Sequence, residues 1–290
     1  MPASTTKSRG RGRALQRRLG DWQLSGPARG IGVSRQPPVW HEEYGSGAPT
    51  LLLLHGLGAT GEVWRGVCEL ASAWPGARVL VDLPGHGRSG HLPSYSYDAH
   101  ARQLQALLAR QPGPVVVAGH SMGGYLGILL ANQRYRSDVA VVVGLGIKVR
   151  WSKEEVEGLQ RRAGQPVRWF QTREEAAVRY LRSVGLEGVV EPTGSIVSSG
   201  ILEVEGRWRL AFDPAANQVG PPDMERSLRE AHAKVTLAHG TGDPMVSTED
   251  LTSLPAATQE LPGLGHNAHV EDPATLWRLI ASASRDGGVL

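Results

Sequence analysis

Val115-Val116-Val117-Ala118-Gly119-His120-Ser121-Met122-Gly123-Gly124 is the stretch whose reading decides the fold. Its first four residues have the length and apolar character of a buried strand, and a helical period begins at Met122. Between the two lies Gly119-His120-Ser121-Met122-Gly123, a G-x-S-x-G sequence. A serine on so tight a strand-to-helix turn must adopt strained backbone angles, and the flanking glycines avoid clashes with the neighbouring strand and helix. The strain lifts the hydroxyl into the open. The same turn aims the amide of Met122, at a helix N-terminus, towards any oxyanion formed beside Ser121. The motif alone occurs by chance, and the strand before it and helix after it are what give it weight.

Outward from this point the 290-residue chain alternates apolar runs with helical periods from Thr50 onward. That is the pattern of a mainly parallel sheet covered on both faces. Strands are predicted at 50–55, 77–82, 114–119, 138–144, 234–239 and 256–261, with helices near 62–73, 98–110, 122–133, 247–253 and 273–283. Ile31 to Val33 and Val39 to Tyr44 read as a hairpin that opens the sheet, interrupted by Pro37 and Pro38. Residues 147–225 break the rhythm with charge-rich helical stretches followed by Gly/Ser-rich and Pro-rich segments. The expected organisation is a basic arm (1–20), a core (21–146 and 226–290) and a helical lid (147–225). Trp151, Trp169, Phe170, Tyr180, Trp208 and Phe212 of that lid are candidates to line a substrate pocket beneath it.

A serine hydroxyl is a poor nucleophile at its own pKa, so an imidazole must accept its proton and a carboxylate must fix that ring's tautomer. Of ten histidines, His266 ends the glycine-rich loop Leu261-Pro262-Gly263-Leu264-Gly265-His266, which leaves a predicted strand. His269, three residues on, is the rival base, and a metal site built on the two lacks a third ligand nearby. For the acid, Ala238-His239-Gly240-Thr241-Gly242-Asp243 places Asp243 just past a strand. The alternative place, after the strand at 138–144, reads Gly144-Leu145-Gly146 and offers no carboxylate. The chain order Ser121, Asp243, His266 results. A second oxyanion donor is expected from Leu54-His55-Gly56-Leu57-Gly58, with the Leu57 amide as candidate and His55 as a structural residue that shapes the loop.

Gly56-Leu57-Gly58-Ala59-Thr60-Gly61 also matches G-x-G-x-x-G, and Asp82 ends the next strand, which together make a dinucleotide fingerprint and an NAD-dependent oxidoreductase the remote alternative. Three features oppose it. His55 intrudes before the first glycine, Asp82 runs into its own glycine-rich turn with His86 and Arg88, and the loops of Ser121, Asp243 and His266 are left unexplained.

Composition narrows the class further. Charged residues make up 20% and hydrophobic residues 40%, a balance of soluble globular enzymes. No apolar run approaches the roughly 20 residues a membrane helix needs. The net charge of +3 is local, because residues 1–20 hold six basic groups and no acid. A disordered arm is the reading of that segment, ahead of nucleic-acid contact or a targeting peptide. No apolar h-region follows the basic residues, so a cytoplasmic location is expected. Cys68 is the only cysteine, which excludes an intramolecular disulfide and a thiolate metal cluster, and its apolar helical setting suggests a core thiol.

LLLLHGLGAT, VLVDLPGHGRSG, VVVAGHSMGG, LAHGTGDPMV and LPGLGHNAHVEDP resemble the successive landmarks of the α/β-hydrolase superfamily, over residues 50–145 and 230–285. The resemblance implies the α/β-hydrolase fold: an eight-stranded, mostly parallel sheet flanked by helices, a lid inserted after the sixth strand, and Ser121, Asp243 and His266 as triad. It implies no metal or organic cofactor, and a small acyl substrate: a carboxylic ester, lactone or thioester. Hydrolysis of a carbon-carbon bond by the same triad, or a slow-turnover ligand receptor or biosynthetic scaffold, is the alternative. Serine at the elbow sets the chain apart from the epoxide hydrolases and dehalogenases, which resemble this pattern but carry aspartate there.

Overall fold

A computed structural model describes residues 39–135 and 137–290. The basic arm at 1–20 and the strand predicted at 31–33 lie outside these residues. Nine strands are described: β1 (His41–Tyr44), β2 (Thr50–Leu54), β3 (Arg78–Val81), β4 (Val115–His120), β5 (Val139–Leu145), β6 (Ile201–Val204), β7 (Arg207–Leu210), β8 (Lys234–Gly240) and β9 (Ala257–Leu261). Seven form one sheet in the order β1-β3-β2-β4-β5-β8-β9, where β1 runs antiparallel to β3 and every other pairing is parallel. Against the eight strands implied by resemblance, this sheet has seven among the described residues, and the insertion follows β5, the fifth of them in chain order; the stretch 31–33 expected to pair with β1 lies outside the described residues.

The helices are α1 (Arg65–Leu70), α2 (Tyr97–Leu108), α3 (Met122–Leu130), α4 (Lys153–Ala163), α5 (Arg173–Val184), α6 (Ser195–Gly200), α7 (Met224–Glu230), α8 (Thr248–Thr252), α9 (Ala268–Glu271) and α10 (Pro273–Asp286). Period-two alternation sorts the central strands onto two cores. Leu51, Leu53, Val116, Ala118, Val141 and Val143 pack with Val67 and Cys68 of α1 and with Leu276 and Ile280 of α10. Leu52, Leu54, Val115, Val117 and Val142 pack with Leu104 of α2 and with Leu126 and Leu130 of α3. Leu51 through Leu54 are fully buried, each side chain contributing about 1.5–3 kcal/mol on removal from water. A sheet covered on both faces can bind a ligand only at its strand ends, where the loops emerge.

The 147–225 insertion is not purely helical. Capping boxes at Ser152/Glu155 and Thr172/Glu175 start α4 and α5. After α6, however, the chain forms the antiparallel hairpin β6–β7, closed by Glu205 (φ 50) and Gly206 (φ 74). Two consecutive residues at positive φ match the twist of the flanking strands in a two-residue turn. The core resumes at α7, capped by Asp223, where Met224 and Leu228 join the second cluster.

Candidate active site

Five loops leave the C-terminal ends of β2, β4, β5, β8 and β9, and each brings one element of the site. Ser121 sits between β4 and α3 with φ 50 and ψ −115, a non-glycine residue in a strained region. Its amide donates to the Leu145 carbonyl at 2.7 Å, which hangs the turn on the end of β5. The flanking glycine at 123 is required by space: a Cβ there would stand 2.4 Å from the Leu54 carbonyl oxygen.

Asp243 and His266 meet although 23 residues separate them in sequence. His266 Nδ1 lies 2.8 Å from Asp243 Oδ2. The Asp243 side chain is fully buried while His266 is 17% exposed, and the second carboxylate oxygen, Oδ1, accepts from the Met245 amide at 2.8 Å. A carboxylate can only accept, so Nδ1 carries the proton and Nε2 keeps its lone pair for a donor on the other side. Ser121 and His266 both border a cavity of about 1270 Å³, together with Leu57 and Met122. The Ser121 hydroxyl forms no hydrogen bond among the described residues, while His266 keeps its contact with Asp243. The amides of Leu57 and Met122 likewise find no acceptor among the described residues and are free to donate.

A clamp that the sequence did not advertise surrounds His266. Glu271, on α9, accepts from the Gly265 amide at 2.6 Å and from the Asn267 amide at 3.2 Å, gripping the backbone on either side of the histidine. His120 Nε2 lies 3.0 Å from the His266 carbonyl and donates to it. Asn267 is buried, and its Nδ2 donates to the carbonyls of Val184 (3.0 Å) and Gly185 (3.1 Å) at the end of α5, joining the His266 loop to the insertion. Gly146 presses against the ring from the β5 side: a Cβ there would come within 3.2 Å of His266 Nδ1. Only Gly146 left a trace in the sequence, as the glycine of a loop with no carboxylate.

The neighbouring imidazoles stay neutral. Burial, followed by His269 and His266, holds the His120 pKa well below its usual value. His269, the rival base, is buried against Trp64 and His120 at ring-centroid distances of 4.5 Å, away from the cavity wall, and burial pushes its pKa down to about 3. No standing positive charge from either ring therefore opposes protonation of His266.

The dinucleotide alternative loses its acid. Asp82 accepts from the Gly61 amide at 2.8 Å and from the Arg88 amide at 3.0 Å, and pairs with the Arg88 guanidinium at 2.7 Å. His55 is structural as expected: Nδ1 donates to the Gly56 carbonyl at 2.7 Å while Nε2 accepts from the Leu83 amide at 2.8 Å. Of the six aromatic residues expected under the insertion, Trp151, Phe170 and Phe212 border the cavity. Trp169, Tyr180 and Trp208 do not. Tyr180 is fully buried beside Gly200 and fastens the insertion internally, while Trp208 pairs through its backbone with Phe170.

Similarity to known proteins agrees with this architecture. A model of the "Alpha/beta hydrolase family" matches residues 51–279. The chain is 31% identical to the sn-1-specific diacylglycerol lipase ABHD11 of Mus musculus over 250 residues, which cover 81% of this chain and 80% of that protein. A shorter match, 44% over 85 residues and 29% of this chain, reaches 31% of the pimeloyl-[acyl-carrier protein] methyl ester esterase of Edwardsiella ictaluri. Among solved structures, the thioesterase domain from the curacin biosynthetic pathway superposes with a TM-score of 0.69 at 23% identity, covering 85% of this chain and 99% of that one. At those identities the superposition speaks for the fold alone. With the family model spanning most of its length, and a sheet whose strand ends gather Ser121, Asp243 and His266, the chain belongs to the alpha/beta hydrolase family and is a hydrolase.

Proposed function

We propose that Ser121, His266 and Asp243 act as nucleophile, base and orienting acid in the hydrolysis of a carboxylic ester, lactone or thioester. The observation that carries the reading is the 2.8 Å pairing of His266 with a fully buried Asp243 on the same cavity as a strained Ser121. The names of the lipase, methyl esterase and thioesterase relatives support acyl chemistry, and none of them fixes the acyl group.

In this mechanism Ser121 Oγ attacks the carbonyl carbon as its proton passes to His266 Nε2. Asp243 stabilises the imidazolium, and the amides of Leu57 and Met122 donate to the oxyanion of the tetrahedral intermediate. His266 then gives the proton to the departing oxygen or sulfur, leaving an acyl ester on Ser121. Water repeats the cycle: it loses a proton to His266, attacks the acyl carbon, and releases the acid as the proton returns to Ser121. The 147–225 insertion serves as the lid over this cavity.

Turnover of a short-chain 4-nitrophenyl ester by the native chain, reduced by several orders of magnitude in Ser121→Ala with an unchanged circular dichroism spectrum, is the expected result. Retention of most of the activity in that variant would refute the assignment.

A further inference from the structure

The cavity that holds Ser121 and His266 is also bordered by Arg161 and Arg162 of α4, by Arg168 of the following connection, and by Arg179 and Arg182 of α5. We propose that these arginines form a subsite for a phosphate-bearing part of the substrate. The proposal rests on the hydrolase reading and names the substrate class: an acyl compound whose leaving group carries a phosphate some distance from the reacting carbonyl.

Three acidic residues border the same cavity against five arginines, Glu154, Glu155 and Glu271, and the last two are already engaged. Glu155 pairs with Lys148 and accepts from the Ser152 amide at 2.9 Å, while Glu271 holds the two amides flanking His266. The arginines are far less committed. Arg168 and Arg179 have no carboxylate partner among the described residues. Arg168 lies 5.1 Å from the ring centroid of Phe170, a buried side chain on the same cavity, which leaves the edge of its guanidinium free to donate. Arg162 reaches only an amide, Asn217 Oδ1 at 3.5 Å. Arg161 and Arg182 meet Glu157 (3.7 Å) and Glu187 (2.8 Å) in exposed pairs that are worth little in water and exchange readily for a multiply charged ligand.

Several guanidinium forks drawn from separate segments offer more donors than one carboxylate can accept, and their fork geometry suits phosphate oxygens. Size points the same way. About 1270 Å³ exceeds the roughly 300–1,000 Å³ typical of small-molecule pockets, and Ile147, Leu210 and Phe212 give it an apolar wall for an acyl chain. A short neutral ester would leave much of this volume unfilled and make no use of the arginines that border it. Like-signed charge bordering one cavity also raises the local concentration of an anion and speeds its capture at low salt.

Two sources of such a phosphate are distinguishable, a phosphopantetheine thioester and a glycerol phosphate ester. Calorimetric titration compares 4′-phosphopantetheine with pantetheine, and sn-glycerol 3-phosphate with glycerol, on the native chain and on Arg168→Ala/Arg179→Ala. In one pair the phosphorylated member binds at least ten-fold more tightly, the preference shrinks on raising salt, and the double variant loses most of it. The pair that shows it identifies the source. With acyl thioesters or esters of the same pairs, the ratio of kcat/KM for phosphorylated over neutral substrate falls at least five-fold in the double variant. No preference in either pair, or a preference the double variant retains, would overturn the subsite. Failure of the hydrolase reading looks different: phosphate preference in calorimetry persists while no ester is turned over.

Discussion

The strand ends and the 147–225 insertion border one cavity but are built by different rules. At the strand ends, every candidate residue stands within a few positions of a parallel strand: Leu57 after β2, Ser121 after β4, Gly146 after β5, Asp243 after β8 and His266 after β9. Of these strands, β2, β4 and β5 are buried nearly throughout, while the edge strand β9 buries only Leu261. Packing on both faces fixes the central strands, so it also fixes where the loops that follow them emerge. The insertion instead starts its helices with local capping boxes and keeps most of its charged side chains in solvent. Asn267 ties it to the His266 loop through the Val184 and Gly185 carbonyls. In the proposed reading the sheet's loops carry the reaction and the insertion carries the substrate preference, the insertion being anchored to the core by buried residues such as Phe170, Tyr180, Leu181 and Val197.

The largest effect that would sharpen this contrast comes from the sheet side. Asp243→Asn keeps the shape but can leave the wrong His266 tautomer facing Ser121, and it is expected to lower kcat for an aryl ester by about 10³–10⁴-fold with little change in KM. Steady-state kinetics checks it. A loss below ten-fold would mean that the 2.8 Å contact organises the loop and not the proton transfer.

Acid should strike the same region next. His55, His86, His100, His120 and His269 are buried and neutral, and burial pushes the first three and the last down to about 3. In the unfolded chain they return to an ordinary value near 6.5. Below that pH the unfolded chain takes up protons that the folded chain refuses, so stability falls from about pH 6.5 towards 3, by up to about 1.4 kcal/mol per histidine per pH unit. The insertion contains no histidine and adds nothing to this term. Urea unfolding at pH 7, 6 and 5 is expected to show a slope equivalent to several protons, and a flat profile would contradict the burial of these rings in the folded state.

The smallest effect tests the joint between the two regions. Asn267→Ala removes both hydrogen bonds to the end of α5 and is expected to cost about ten-fold in kcat/KM, with faster amide exchange around residues 184–186. Asn267→Asp should do no better, because a carboxylate has no proton to give to a carbonyl. Unchanged exchange in both variants would show that these two hydrogen bonds do not order the end of α5.

Sequence legibility follows the same division. Runs such as Leu51–Leu54 and Val115–Ala118 announce the sheet because a doubly covered strand must be apolar throughout, and the strand-turn-helix around Ser121 needs no partner to be recognised. Asp243 and His266 are readable from loop position. The hairpin β6–β7 is harder, since its strands interleave arginine and glutamate with apolar residues and only the Glu205-Gly206 pair signals the turn. Glu271 is illegible in one dimension: near the end of a four-residue helix it looks like surface charge, and only folding brings its carboxylate to both amides around His266.

The central claim, a serine made nucleophilic by a pairing across the sheet edge, is tested most directly by reaction with a fluorophosphonate followed by intact-mass and peptide mass spectrometry. The account predicts one adduct per chain, located on Ser121, and its loss in His266→Ala. An unlabelled native chain, or an adduct on another residue that survives Ser121→Ala, would contradict it.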